Sequence, residues 1–183
     1  MMGQARVSGA ARLVSEPVLA AVVLGLVAAV LWSNLAPDIQ GELTATGVRI
    51  GTAQARRQFG VDGWFAVVAA GGGLVLGIVG FARHRSRPVG ALVVLAVAGL
   101  VAAAVQWSVG VLLGPAPVDE PAAELPAGSS ISMPLELNAP ATLLVWSIAA
   151  VVGALLVAAF LDDRERWSPR LSRRERSGPS LQR

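Results

Sequence analysis

The stretch that decides the fold is residues 89–113, VGALVVLAVAGLVAAAVQWSVGVLL, which contains no Asp, Glu, Lys, Arg or His. About 20 apolar residues cross the hydrocarbon core of a bilayer as a helix, so this stretch is long enough to span a membrane. Three further blocks have the same character, and the four predicted spans are 17–35, 64–82, 89–113 and 141–161. They are apolar on all sides, whereas the helices of a soluble bundle carry a polar stripe. The sequence therefore predicts an all-α integral membrane protein with four transmembrane helices.

Composition and segment order predict a single domain. The chain is 54% hydrophobic with a mean hydropathy of +0.62, above the roughly 45–50% that is usual for soluble domains. We expect one four-helix transmembrane domain over 1–161, with long loops at 36–63 and 114–140. Residues 162–183 form an Arg-rich tail, which we expect to be cytoplasmic and disordered. The dominance of Ala, Val, Gly and Leu, without lysine, is typical of high-GC bacteria and indicates an actinobacterial source.

The distribution of arginine predicts the orientation. Twelve of the 15 arginines would lie on one side, in the N-terminal segment (Arg6, Arg12), the second link (Arg83, Arg85, Arg87) and the tail (Arg164, Arg166, Arg170, Arg173, Arg174, Arg176, Arg183). The two long loops hold only Arg49, Arg56 and Arg57. Short cytoplasmic segments are enriched in basic residues. Both termini are therefore expected in the cytoplasm and both long loops outside, in a multi-pass protein of the bacterial plasma membrane.

Four tryptophans would share a similar depth under this topology. Trp32, Trp64, Trp107 and Trp146 fall at or near the outer ends of their spans. Indole side chains favour the membrane interface, so an interfacial belt is expected, and four core tryptophans are the alternative. Asp62 precedes the second span and is expected to cap its first turn.

Small residues indicate how the helices pack, because close approach drives helix association in lipid. The predicted packing residues are Gly25, Gly73, Gly77, Gly99, Gln106, Gly110 and Ser147. Gln106 shares a face of the third span with Gly99 and Gly110. We expect it to donate or accept a hydrogen bond with Ser147 of the fourth span, with a substrate contact as the alternative. Such a bond contributes about 0.6–2 kcal/mol in a membrane.

The two outer loops contain strand patterns. β-branched residues alternate in 43–50, and apolar residues alternate strictly in 131–137, where Pro134 indicates an edge strand. The two segments could pair as a short two-stranded element over the outer mouth of the bundle. Alternatively, 131–137 could offer a docking edge to another chain.

Several functional classes are disfavoured by the residues present. The chain has no cysteine and one histidine, so we expect no metal, cofactor or catalytic site. The basic residues lie beside the spans, which argues against nucleic-acid binding. Arginines beside the spans are expected to contact lipid headgroups or a partner protein: Arg56, Arg57, Arg83, Arg85 and Arg87.

Three stretches carry a family resemblance: VDGWFAVVAAGGGLVLG (61–77), AGLVAAAVQWSVGVLLGP (98–115) and MPLELNAPATLLVWSIAA (133–150). They resemble a family of small four-span actinobacterial membrane proteins catalogued as a domain of unknown function. The family marks are Asp-Gly before span two, Leu-Gly-Pro after span three and Pro-Leu-Glu-Leu before span four. The chain departs from the family at Ser108 and at Trp146-Ser147, where a basic residue and Trp-Pro are frequent.

The resemblance covers about residues 13–161 and implies a function through a partner. The family includes LucB, an accessory subunit of Mce lipid and fatty-acid importers. We therefore expect a non-catalytic accessory or stabilising subunit of a larger cell-envelope complex, bound to other membrane proteins and phospholipids. A small stand-alone transporter or lipid-binding membrane protein is the alternative, and an envelope enzyme is a third, less favoured one.

Overall fold

The fold is known from a computed structural model. It describes residues 2–44, 47–49, 51–115, 126 and 128–175, and the side chains within 14–44, 51–52, 56–115, 126 and 128–160. The helices are α1 (Met2–Leu35), α2 (Thr52–Arg83), α3 (Pro88–Leu113) and α4 (Leu144–Glu175), with a 3₁₀ turn at Pro140–Leu143 before α4. Three short strands are β1 (Gln40–Thr44), β2 (Gly47–Arg49) and β3 (Ser130–Ser132).

Four helices in the described part of the chain are long and apolar enough to span a membrane. The membrane-length segments are Val14–Leu35, Arg56–Arg83, Pro88–Leu113 and Pro140–Phe160. The prediction of a mostly helical protein with four such helices is therefore confirmed. Apolar residues decide where each segment can enter a membrane, and each predicted charge-free run has about the 20 residues that a span needs, or more.

Three helices extend beyond their predicted spans. α1 begins at Met2 and α2 at Thr52, whereas hydropathy placed the first span from 17 and the second from 64. α4 continues through 162–175, which we expected to belong to a disordered tail, and 176–183 lie outside the described residues. These extensions are rich in Ala, Arg, Gln and Glu, which are good helix formers but are not apolar enough for a hydropathy criterion.

The four helices form one bundle in which packing is uneven. α2 packs most extensively against α4 and α1 against α3, whereas α1 and α2 meet over a smaller area. One end of the bundle carries the β-sheet, and we call it the sheet end. The other carries the α2–α3 connection at 84–87, and we call it the link end. This unequal packing leaves space between α1 and α2.

The sheet confirms that the two long loops pair, and it corrects their bounds. Its strand order is β2-β1-β3, and both pairings are antiparallel. Gly41 lies opposite Ile131 in β3, and Leu43 lies opposite Val48 in β2. The predicted single strand at 43–50 is thus part of a hairpin, and only 131–132 of the predicted 131–137 belong to a strand. Pro134 has no backbone N–H to donate, which is the physical reason for an early end to β3.

Candidate functional site

A buried amide connects three helices near the sheet end. Gln106 of α3 is fully buried, and its Oε1 accepts a 2.6 Å hydrogen bond from the indole Nε1 of Trp146 in α4. Its Nε2 donates to the backbone oxygen of Phe65 in α2 at 3.4 Å. Both ends of the amide are therefore paired, as the high penalty for unsatisfied buried polar groups requires. The geometry makes Gln106 a connection between helices.

The predicted hydrogen bond between Gln106 and Ser147 is wrong. Ser147 Oγ instead donates to the backbone oxygen of Ala96 at 2.8 Å, so it connects α4 to α3 at a different level. Successive residues of a helix point about 100° apart, and Trp146 is the one directed at Gln106. The indole N–H of Trp146 is fully buried, so it needs a partner within the protein and takes the amide oxygen.

Two of the four tryptophans do not form an interfacial belt. Trp32 and Trp146 are fully buried inside the bundle, whereas Trp64 and Trp107 are 41% and 44% exposed. Trp32 Nε1 donates to the backbone oxygen of Val61 at 2.9 Å, and its ring packs edge-on against Phe65 with 5.1 Å between centroids. The belt prediction is therefore wrong for Trp32 and Trp146, because their N–H groups find acceptors within the protein.

The five glycines named as packing residues all lie against other helices. A side chain added at Gly25 would meet Ala102 O of α3 at 2.8 Å, and one at Gly73 would meet Trp146 O of α4 at 2.6 Å. At Gly99 it would meet Ser147 Cα at 2.8 Å. Gly77 lies directly against the backbone of Ala150, and Gly110 lies under the ring of Trp32. Absence of a side chain lets these backbones approach closely.

Sequence reasoning missed three further contacts of this kind. Gly72 lies against the Trp146 ring, and Gly80 lies against Leu95 of α3. Gly153 of α4 would place a Cβ 2.7 Å from Leu74 O of α2. Only Gly72 had a weak signal in the sequence, since it is the middle residue of the glycine run 71–73. Which glycine of such a run faces a partner depends on helix rotation.

The five arginines named as contact candidates are all exposed and divide between the two ends. Arg56 and Arg57 lie at the sheet end, where Arg57 Nη1 donates to Asp38 O at 3.4 Å. Arg83 ends α2 at the link end, and Arg85 and Arg87 follow it in the connection to α3. The structure thus places two separate cationic regions at opposite ends of the bundle.

Asp62 is an internal residue of α2, so the prediction that it caps this helix is wrong. Its side chain is 8% exposed, and its Oδ1 accepts a 3.0 Å hydrogen bond from the backbone N–H of Asn138. Asn138 lies just before the 3₁₀ turn that leads into α4. Asp62 therefore attaches the second long loop to α2, a role that depends on a contact 76 residues away in sequence.

A groove of about 480 Å³ separates α1 from α2 at the link end. Its walls are apolar and include Leu19 and Val23 of α1 and Val75 and Val79 of α2. Charged or polar side chains surround its mouth: Glu16, Arg83 and His84. His84 Nδ1 donates to Gly80 O at 3.0 Å, and its Nε2 lies 3.8 Å from Glu16 Oε2. The groove opens to the outside of the bundle. At the sheet end α1 and α2 are in contact, so the groove ends there.

Within the described residues, no three His, Asp or Glu side chains come together as a metal site. No protein-family model, curated protein or solved structure matches this chain. The geometry of the bundle is therefore the basis for the functional proposal.

We expect Gln106→Leu to weaken the bundle because it leaves the Trp146 indole N–H buried without an acceptor. The expected loss of unfolding free energy in detergent is about 1–2 kcal/mol, the range for a buried hydrogen bond in a membrane protein. The measurement is unfolding followed by circular dichroism for Gln106→Leu, Trp146→Phe and the double variant. Because Trp146→Phe removes the donor, the Gln106→Leu penalty should shrink in that background. Equal penalties in both backgrounds would show that the hydrogen bond contributes nothing.

Proposed function

We propose that this protein is a non-catalytic accessory or stabilising subunit of a larger cell-envelope membrane complex. The observation that carries the proposal is the occupied interior of the bundle, where Trp32, Phe65, Gln106 and Trp146 are all fully buried. These side chains connect all four helices, and glycine contacts bring the helix backbones together. Closely packed interiors resist deformation, so such a bundle is suited to holding a shape for a partner.

The sheet end supports the proposal because it presents features that partners use. The side chain of Phe59 is 80% exposed, and Arg56 and Arg57 precede it on α2. Exposed aromatic and arginine side chains are enriched at protein interfaces. Among the described strands, β2 lies at an edge of the sheet and pairs with β1 alone. An open strand edge can accept an extended segment of another chain through backbone hydrogen bonds.

The proposed orientation places this sheet end outside the cell. Twelve arginines of the sequence would then lie on the cytoplasmic side, as basic residues do in multi-pass proteins. Both termini would be cytoplasmic, and the sheet would meet partners of the envelope. The resemblance to the actinobacterial four-span family points to an Mce-type lipid or fatty-acid importer as the complex. Phospholipids would surround the spans.

The test is recovery of partners with the full-length chain. A tagged protein is cross-linked in its native membrane, extracted in a mild detergent and analysed by mass spectrometry. We expect membrane proteins of one envelope complex to be enriched over a tagged unrelated four-span protein. Phe59→Ser should reduce that enrichment severalfold, whereas Phe160→Ser should not, because Phe160 is similarly exposed at 72% but lies on α4 at the link end. Recovery of the chain alone would contradict the proposal.

A stand-alone transporter or lipid-binding protein is the second candidate, and the groove between α1 and α2 favours it. Liposomes that contain only this chain distinguish the two. Movement of a lipid or solute dependent on the protein would support the second candidate, whereas partner recovery without such movement supports an accessory subunit.

A further inference from the structure

We propose that the groove between α1 and α2 is a binding site for one glycerophospholipid whose headgroup carries a primary ammonium, as phosphatidylethanolamine does. One acyl chain lies along the apolar walls, the phosphate binds Arg83, and the ammonium binds Glu16. The inference concerns a ligand site of this chain and does not depend on which envelope complex it joins.

The walls of the groove require an apolar occupant. Leu19, Val23, Val75 and Val79 line it, and all four remain exposed because no other helix in the described residues covers them. Water in such a groove would lack the two to four polar partners that hold an ordered molecule. Both helices have the length and composition of membrane spans, so the acyl chain of a membrane lipid is the apolar molecule that can reach the groove.

The depth of the groove fits one leaflet. On α1 its lining residues run from Glu16 to Leu24, which is about 12 Å at 1.5 Å per residue. Half of the hydrocarbon core of a bilayer is about 15 Å. Towards the sheet end, Trp32 closes the space by its contacts with Val61 and Phe65. A helix from a partner would cross both leaflets, whereas this groove ends within one. An acyl chain from the link-end leaflet therefore fits better than a helix.

The mouth of the groove carries both signs of charge. The Arg83 side chain is exposed and makes no hydrogen bond or ion pair with any described residue, so its guanidinium is available for two phosphate oxygens. Glu16 lies on the opposite helix, with its carboxylate 3.8 Å from His84 Nε2. A headgroup with only negative charge would satisfy Arg83 and be repelled by Glu16. A headgroup with a phosphate and an ammonium is complementary to both side chains.

The experiment measures lipid retention by native mass spectrometry. Full-length protein in detergent is given equal amounts of phosphatidylethanolamine and phosphatidylglycerol, and bound lipids are counted. We expect one phosphatidylethanolamine to be retained in preference to phosphatidylglycerol. Val79→Trp fills the groove and should lower its retention about tenfold, the change that follows from losing about 1.4 kcal/mol of binding free energy. Val97→Trp is the matched control, because Val97 is similarly exposed on α3 and does not line the groove.

Headgroup variants test the two charges separately. Arg83→Gln should weaken retention of both lipids, because Arg83 lines the groove and both headgroups carry a phosphate. Glu16→Gln should remove the preference for phosphatidylethanolamine over phosphatidylglycerol. Circular dichroism establishes that each variant is folded. Equal retention by Val79→Trp and Val97→Trp, or equal binding of the two lipids to the unaltered protein, would overturn the proposal.

Discussion

A Gly77→Val variant should unfold in detergent conditions under which the unaltered protein remains folded. Gly77 of α2 lies directly against the backbone of Ala150 in α4, at the most extensive helix pair of the bundle. A backbone carbonyl cannot rotate away as a side chain can, so the added carbons must push the helices apart. Overpacking generally costs about 1–3 kcal/mol, and we expect this site to reach or exceed the upper value. Thermal unfolding by circular dichroism measures the loss.

Gly71→Val is the matched control on the same helix. A Cβ at Gly71 would meet nothing within 4 Å, and the residue is exposed. Both substitutions replace glycine by valine in the middle of α2, so they share the same change in helix propensity, and their difference isolates the contact with α4. If both variants unfolded at the same temperature, the close approach of α2 and α4 would not determine stability.

A Trp32→Ala variant should also lose a large part of the stability of the bundle. The Trp32 ring is fully buried, packs edge-on against Phe65 and covers Gly110, and its N–H binds Val61 O. The substitution thus removes a side chain that α1, α2 and α3 all contact, and it leaves a cavity between them. Truncation of a buried tryptophan to alanine typically costs about 3–5 kcal/mol, because a cavity remains where the ring was. The same unfolding measurement applies.

Trp107→Ala supplies the comparison for Trp32→Ala. Trp107 is 44% exposed on α3, so its truncation leaves no enclosed cavity and should change stability little. Trp32→Phe keeps an aromatic ring but removes the donor to Val61, and it should fall between the two. A loss for Trp107→Ala as large as that for Trp32→Ala would show that burial of the Trp32 ring inside the bundle does not determine stability.

Features that depend on composition over a continuous segment were predictable from the sequence. The four membrane-length helices follow from long apolar runs. The alternating residues of the two long loops predicted strands but left open whether these pair with each other or with another chain, and the structure shows that β1 pairs with β3. Gly25, Gly73, Gly77, Gly99 and Gly110 were named from their spacing alone, and each lies in an interhelical contact. The ends of α1, α2 and α4 were not predictable from hydropathy, because helix formation continues past the apolar residues.

The sequence by itself determined that this chain has four helices of membrane length and small residues with which to pack them. The tertiary structure decided which side chains meet. In the folded bundle, Trp146 donates to Gln106, and Asp62 accepts from the backbone of Asn138. Glu16 lies in the same groove as Arg83 and His84. The physical reason is that apolar length is a property of one segment. A contact between helices depends on the rotation and depth of both, and only packing of the whole bundle sets those.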